Sequence, residues 1–166
     1  MVESEEFKVG RLFVQKNKPK DALPIFQREL MKLEDGEMIL RSNELLGLER
    51  FPPDLLSYYG LCTALVEKRF QVGITLCKAA LEADMLRSDF YLNLGKVYLR
   101  ANKKSQAIDV FRKGVDTTEN TREIKQELNK LGVRGTPFLK ILSRGHPINK
   151  FFGKLLYRFK QGKPGK

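Results

Sequence analysis

The sequence predicts an all-α protein made of successive helix hairpins, and three observations support this prediction. Apolar residues recur at helical spacing through most of the chain. Short polar stretches such as 102–105 separate neighbouring helical segments and are typical of turns. The arrangement of apolar and small residues also repeats at a period of about 34 positions. A chain of 166 residues can bury the core of such a domain without disulfides or a metal.

The clearest repeat occupies 88–121. Its first helix is predicted from four residues at i, i+3, i+4 and i+7, which share one face: Tyr91, Leu94, Gly95 and Tyr98. Its second helix is predicted in the same way from Ala107, Ile108, Phe111 and Val115. The small residue on each helix lets the two approach closely, and the aromatic side chains fill the space beside them.

The same spacings recur in two earlier windows, 3–36 and 54–87. In the first window, Gly10 and Ala22 have the same separation along the chain as the two small residues of the third. In the second window the equivalent glycine, Gly60, comes one position early, which predicts one extra residue in the hairpin turn near 67–69. Three units are enough for stacked repeats to form a stable solenoid.

Two further helices are predicted outside the repeats. The insertion at 37–53 is rich in apolar residues and predicts an extra helix that ends at Pro52 and Pro53. At 120–131, apolar residues at helical spacing predict a capping helix, which is expected where a solenoid ends. Gly132 follows this segment and is expected to end the helix.

The three windows resemble the tetratricopeptide repeat, a unit of the same length with a small residue on each helix where the two pack. The window 88–121 matches best, 3–36 matches well, and 54–87 matches with Gly73 and Cys77 in place of an alanine and an aromatic residue. The resemblance implies a right-handed superhelix of antiparallel helix hairpins, similar to short bacterial repeat proteins. It also implies a scaffold that binds an unidentified protein or peptide.

In this family the first helices of successive hairpins line a concave groove that takes a peptide. The resemblance therefore implies these candidate groove residues: Arg11, Gln15, Tyr58, Asp89, Leu92, Asn93, Lys96 and Arg100. For each of them, the alternative is an ordinary solvated or partly buried helix face. Some members grip a partner's terminal carboxylate with paired lysines and asparagines, but here Phe7, which is expected in the core, and Arg11 stand at two of those positions. The basic candidates would favour an acidic peptide through charge-assisted hydrogen bonds.

The net charge of +11 is concentrated at the end of the chain. The segment 134–166, called the basic tail below, holds nine of the 31 basic residues and no aspartate or glutamate. Within it an amphipathic helix is predicted over 147–160, because its apolar residues form one stripe: Ile148, Phe151, Phe152, Leu155, Leu156 and Phe159.

Three destinations of this stripe remain open. It docks on the repeats or on a second copy of the chain as a homodimer, it lies on an anionic membrane surface, or it contacts nucleic-acid phosphates. Nucleic acid ranks below the membrane because the aromatic residues are segregated from the cations instead of interleaved with them. The candidate surface-binding residues are Lys150, Phe151, Phe152, Lys154, Arg158 and Phe159.

The sequence carries no pattern typical of an enzyme. His146 is its only histidine, Cys62 and Cys77 are its only thiols and lack metal-ligand spacing, and no glycine-rich phosphate loop is present. We therefore expect no catalysis, cofactor or metal, and two cysteines in the core. An acidic start and the lack of a long apolar run favour a cytoplasmic location, peripheral at the inner membrane face if the tail binds lipid.

Overall fold

The computed structural model describes residues 4–37 and 47–133, and within these residues every regular element is helical. The α-helices are α1 (Glu5–Gln15), α2 (Pro19–Met31), α3 (Pro53–Cys62), α4 (Phe70–Ala83), α5 (Ser88–Arg100), α6 (Lys104–Thr117) and α7 (Arg122–Lys130). A 3-10 turn, Leu48–Arg50, precedes α3, and a π-helical turn, Thr63–Glu67, follows it directly. The all-α prediction is confirmed.

By its internal contacts the chain divides into Met1–Leu131 and Gly132–Lys166, and all seven of these helices belong to the first unit. The basic tail and its predicted helix over 147–160 lie outside the described residues. The same holds for 38–46 of the predicted inserted helix, and the described end of that insertion forms the 3-10 turn. Pro53 begins α3, a position where its missing N–H leaves no hydrogen bond unmade.

The helices pack as three consecutive pairs: α1 with α2, α3 with α4, and α5 with α6. The two helices of each pair are joined by three residues or fewer when the π-helical turn is counted with α3. They therefore run antiparallel. The three turns share one geometry, because each contains a left-handed residue two positions before the second helix begins. These residues are Asn17, Lys68 and Asn102, with φ of 57°, 62° and 59°.

A glycine on the first helix of each pair lies against the second helix. A Cβ added to Gly10 would lie 2.7 Å from a ring carbon of Phe26, and one added to Gly95 would lie 2.0 Å from a ring carbon of Phe111. In the middle pair, a Cβ on Gly60 would lie 2.9 Å from the Cβ of Leu76. Only a hydrogen fits at these positions, and the spacing of the small residues in the sequence reflects this contact.

The middle pair is one residue longer between its glycine and the left-handed residue of its turn. The sequence predicts this extra residue near 67–69, in the turn itself, but that location is wrong. The turn keeps its left-handed residue at the same position as in the other two pairs, and the extra residue is taken up within the helix as the π-helical turn Thr63–Glu67. π-helical geometry occurs mostly as such single turns within an α-helix.

Two apolar clusters hold the helix pairs together. The first joins α1 and α2 to the middle pair around Phe26 and Tyr59, and it includes Phe7, which is 5% exposed. The second joins the middle pair to α5, α6 and α7 around Tyr91 and Phe111. Because α7 adds the buried side chain of Ile124 to this cluster, it covers the end of the last pair.

Both cysteines lie in these clusters as buried free thiols, as the sequence predicts. Burial raises the pKa of the Cys62 thiol to about 12. Burial also raises the pKa of Cys77, and the neighbouring Cys62 adds to that effect. The thiols are therefore protonated and unreactive near neutral pH.

Candidate binding groove

A groove of about 610 Å³ opens along the first helices of the three pairs and α7. It is lined by Arg11, Val14, Gln15, Tyr58, Arg87, Ser88, Asp89, Leu92, Asn93, Lys96, Asn120, Arg122, Glu123, Ile124, Gln126 and Glu127. These residues together form the groove. Its walls come from four different helices, so its shape depends on how the pairs stack.

Seven of the eight candidate groove residues lie in this lining. The exception is Arg100, which is exposed at the last position of α5 and does not line the groove. Arg100 lies one turn beyond Lys96 on the same helix face. The part of α5 that lines the groove ends at Lys96.

The predicted set lacks the contribution of α7. Four polar side chains of this helix line the groove: Arg122, Glu123, Gln126 and Glu127. Their spacing of i, i+1, i+4 and i+5 places them on a shared face, and this was the available signal. The spacing does not show which part of the protein this face contacts, because that depends on tertiary packing.

The floor of the groove is fixed by a network around Asp89. The hydroxyl of Tyr58 donates a hydrogen bond of 3.1 Å to one carboxylate oxygen of Asp89, and the guanidinium of Arg87 donates bonds of 2.9 and 3.1 Å to the two oxygens. Arg87 also binds Asp54 at the start of α3, at 3.2 and 2.5 Å. The network thus ties α3 to α5 at the base of the groove.

Electrostatics keep Tyr58 and Arg87 each in one protonation state near neutral pH. Burial raises the pKa of Tyr58, and the negative charge of Asp89 raises it further, so its hydroxyl remains a donor. Burial acts to lower the pKa of Arg87, but its hydrogen bonds to Asp89 and Asp54 outweigh burial and raise the pKa above its ordinary value. Arg11 places its guanidinium over the ring of Tyr58, 5.6 Å from the ring centre.

Four of the lining residues are buried and do not belong to the accessible walls. Tyr58 is 5% exposed, Leu92 7%, Asn93 2% and Ile124 1%. The amide of Asn93 donates 3.0 Å to the hydroxyl of Ser57. A ligand would meet mainly the more accessible side chains, among them Gln15, Lys96 and the polar face of α7.

The groove offers hydrogen-bond donors, acceptors and charged side chains. In 4–37 and 47–133 no three histidine, cysteine or acidic side chains come together as metal ligands. No helix in these ranges has the length and apolar character needed to cross a membrane.

The six candidate residues of the basic tail lie outside the described residues: Lys150, Phe151, Phe152, Lys154, Arg158 and Phe159.

Comparison of the chain with protein-family models and with curated proteins finds no match.

Proposed function

We propose that the protein is a non-catalytic scaffold of the tetratricopeptide type that binds a peptide or helix of a partner protein in the groove. One observation carries the proposal. Seven residues selected for their positions on the first helices of three repeats, and separated by up to eighty-five positions in the chain, line one groove. Such an arrangement supports a shared surface for one elongated ligand.

The repeated geometry of the helix pairs supports the superhelical part of the proposal. All three pairs have a glycine contact between their helices, and their turns place a left-handed residue at the same position. Equivalent pairs that stack in the same way generate a curved solenoid with an extended concave surface.

The floor of the groove suits binding because its polar groups are already held in place. Tyr58 and Arg87 both donate hydrogen bonds to Asp89 within the chain. A partner therefore does not have to order these side chains, and less conformational entropy is lost on binding. The accessible side chains of the walls remain to determine which peptide fits.

A groove-blocking variant tests this proposal. Peptides are selected from a random library on the immobilised full-length protein, and their affinities are then measured for Gln15→Trp and Gln106→Trp. Gln15 is exposed in the groove, while Gln106 is exposed on α6 outside it. We expect Gln15→Trp to weaken the selected peptides by about tenfold or more, which corresponds to about 1.4 kcal/mol.

The control variant Gln106→Trp should leave the affinities unchanged, since it adds the same indole away from the groove. Equal binding of all selected peptides by both variants would contradict the proposal. Failure to recover any peptide that binds the wild-type protein would do the same.

A second candidate function rests on the basic tail, whose apolar stripe and acid-free charge favour a peripheral membrane adaptor. Flotation with liposomes tests it, using the full chain and a version truncated after Gly145. We expect flotation only with anionic lipid and only for the full chain. If the full chain does not float at low salt, this candidate fails. If the stripe instead joins two copies, truncation will halve the mass in solution.

A further inference from the structure

We infer that the groove selects acidic peptide segments through their side-chain carboxylates. The inference rests on the proposed function, because it assigns the chemistry of the ligand that the groove takes. It comes from an asymmetry between the acidic and the basic residues of the lining.

Two of the three carboxylates in the lining already have a cationic partner. Asp89 is 2.9 Å from the guanidinium of Arg87, and Glu127 is 2.8 Å from the ammonium of Lys130. Their side chains are 24% and 19% exposed, so a ligand cation has little access to them. The third, Glu123, is exposed and directly follows Arg122 in the chain.

Two cations of the lining have no such partner. In the described part of the chain, neither the ammonium of Lys96 nor the guanidinium of Arg122 forms an ion pair. Arg11 adds a third positive charge, which lies over the ring of Tyr58. Carboxylates brought by a ligand would therefore find available donors on Lys96 and Arg122, while ammonium groups would meet acidic side chains that are mostly paired.

The accessible apolar part of the lining is small. Val14 is half-buried, while Leu92 and Ile124 are only 7% and 1% exposed, so Val14 offers most of the apolar surface of these three residues. A segment in which acidic and apolar residues alternate would place carboxylates near the cations and cover this surface.

The two available cations can contact more than one side-chain carboxylate of a ligand. Lys96 lies on α5 and Arg122 lies on α7, so the available cations are distributed over two helices. On α1, Phe7 is buried in the core and has no donor to offer. The cations therefore favour recognition of several carboxylates along a segment.

Fluorescence anisotropy with defined peptides tests the inference on the full-length protein. The probe is a labelled peptide of alternating glutamate and leucine, acetylated at its start and amidated at its end. The comparison peptides replace each glutamate with glutamine or with lysine. We expect the glutamate peptide to bind at least about tenfold more tightly than either comparison peptide. Its affinity should also fall as salt is added, because exposed charges are screened.

Two matched pairs of variants assign the effect to the groove. Lys96→Ala is compared with Arg100→Ala, one turn further along α5, and Arg122→Ala is compared with Lys125→Ala on α7. Each variant removes one positive charge, but only Lys96 and Arg122 line the groove. We expect about fivefold weaker binding for each groove variant and less than about twofold for each control.

Each result separates the inference from the proposed function. If glutamine or lysine peptides bind as tightly as glutamate peptides, or if no defined peptide binds at low salt, the inference is wrong. The proposed function then survives only if library-selected peptides still bind and Gln15→Trp still weakens them. Equal losses in groove and control variants would also overturn the inference, as would tighter binding of a single-stranded oligonucleotide that depends on Lys96 and Arg122.

Discussion

The side-chain amide of Asn93 on α5 donates a buried hydrogen bond of 3.0 Å to the hydroxyl of Ser57 on α3. Ser57 has no exposed surface, and Asn93 is only 2% exposed. The backbone carbonyl of Ser57 also accepts a contact of 3.4 Å from the thiol of Cys77 on α4. One residue thus connects three helices, and it does so directly beneath the groove.

Replacing Ser57 should destabilise the protein by leaving the Asn93 amide without its partner. An unsatisfied buried donor costs about 1–3 kcal/mol, so we expect Ser57→Ala to lower the free energy of unfolding in urea by that amount. The double variant Ser57→Ala with Asn93→Leu removes both polar groups and should recover much of the loss. A double variant whose loss equals the sum of the two single losses would show that this bond is not responsible.

Adding a methyl group at Gly95 should force α5 and α6 apart. Its Cβ would lie 2.0 Å from a ring carbon of Phe111, which is fully buried and cannot move freely. Overpacking of this kind costs about 1–3 kcal/mol or more, against a gain of up to about 1 kcal/mol from better helix propensity. We therefore expect Gly95→Ala to be destabilising in urea unfolding.

Two comparisons check the cause of that loss. Gly10→Ala should be milder, since its Cβ would lie 2.7 Å from the ring of Phe26. Phe111→Leu creates space, so the combined variant Gly95→Ala with Phe111→Leu should be more stable than the sum of the two single effects predicts. Additive losses would mean that the ring is not the obstacle.

Removal of the N-terminal cap of α1 should loosen the first wall of the groove. The hydroxyl of Ser4 accepts a bond of 3.0 Å from the backbone N–H of Phe7 and donates one of 2.7 Å to Glu29 on α2. Loss of such a cap costs about 1 kcal/mol. We expect Ser4→Ala to increase hydrogen exchange of the first-turn amides of α1, while Ser4→Thr, which keeps a hydroxyl, should not. Equal exchange in both variants would contradict the prediction.

Alkaline pH should weaken the fold through its two buried thiols. The pKa of Cys62 rises from an ordinary value of 9.0 to about 12 in the folded protein, and the pKa of Cys77 also rises. Between these values the unfolded chain loses a proton that the folded protein keeps, so stability falls as the pH rises above about 9. Each thiol should account for about 1.4 kcal/mol of loss at about pH 10 relative to pH 8.

Urea unfolding at these two pH values measures the fall, and Cys62→Ala should reduce it by the share of one thiol. Tyr58 and Tyr59, whose pKa values are also raised by burial, add to the fall in both proteins at the higher pH. An unchanged slope in Cys62→Ala would mean that this thiol ionises equally in the folded and unfolded states.

The sequence contains most of the information about the fold because the helix pairs are local. Gly10 and Gly95 are recognisable from their spacing to aromatic residues on the next helix, and the structure places each against that residue, Phe26 or Phe111. The position of the extra residue in the middle pair is harder to predict from the sequence. A one-residue excess can be absorbed in a turn or in a helix, and only the preserved geometry at Lys68 decides between them.

The lining residues of the groove that lie on the repeats can be predicted from the sequence. Those that reach the groove through packing between other elements cannot. Tyr58 and Lys96 follow from repeat position alone, and both line the groove. Arg122 and Glu127 come from a helix that belongs to no repeat, so no periodicity assigns them to it. Arg100 has the right repeat face but lies too far along α5.

The π-turn at Thr63–Glu67 changes how equivalent residues must be matched between repeats. Residues before it, such as Gly60, match those of the third repeat when counted from the start of the helix, since Gly60 and Gly95 each lie seven positions after its first residue. Residues after it, such as Lys68, correspond only when counted back from the second helix. The middle repeat therefore has two numbering frames that differ by one. A substitution transferred from another repeat will reach its structural equivalent only when the frame is chosen by the side of the π-turn on which it falls.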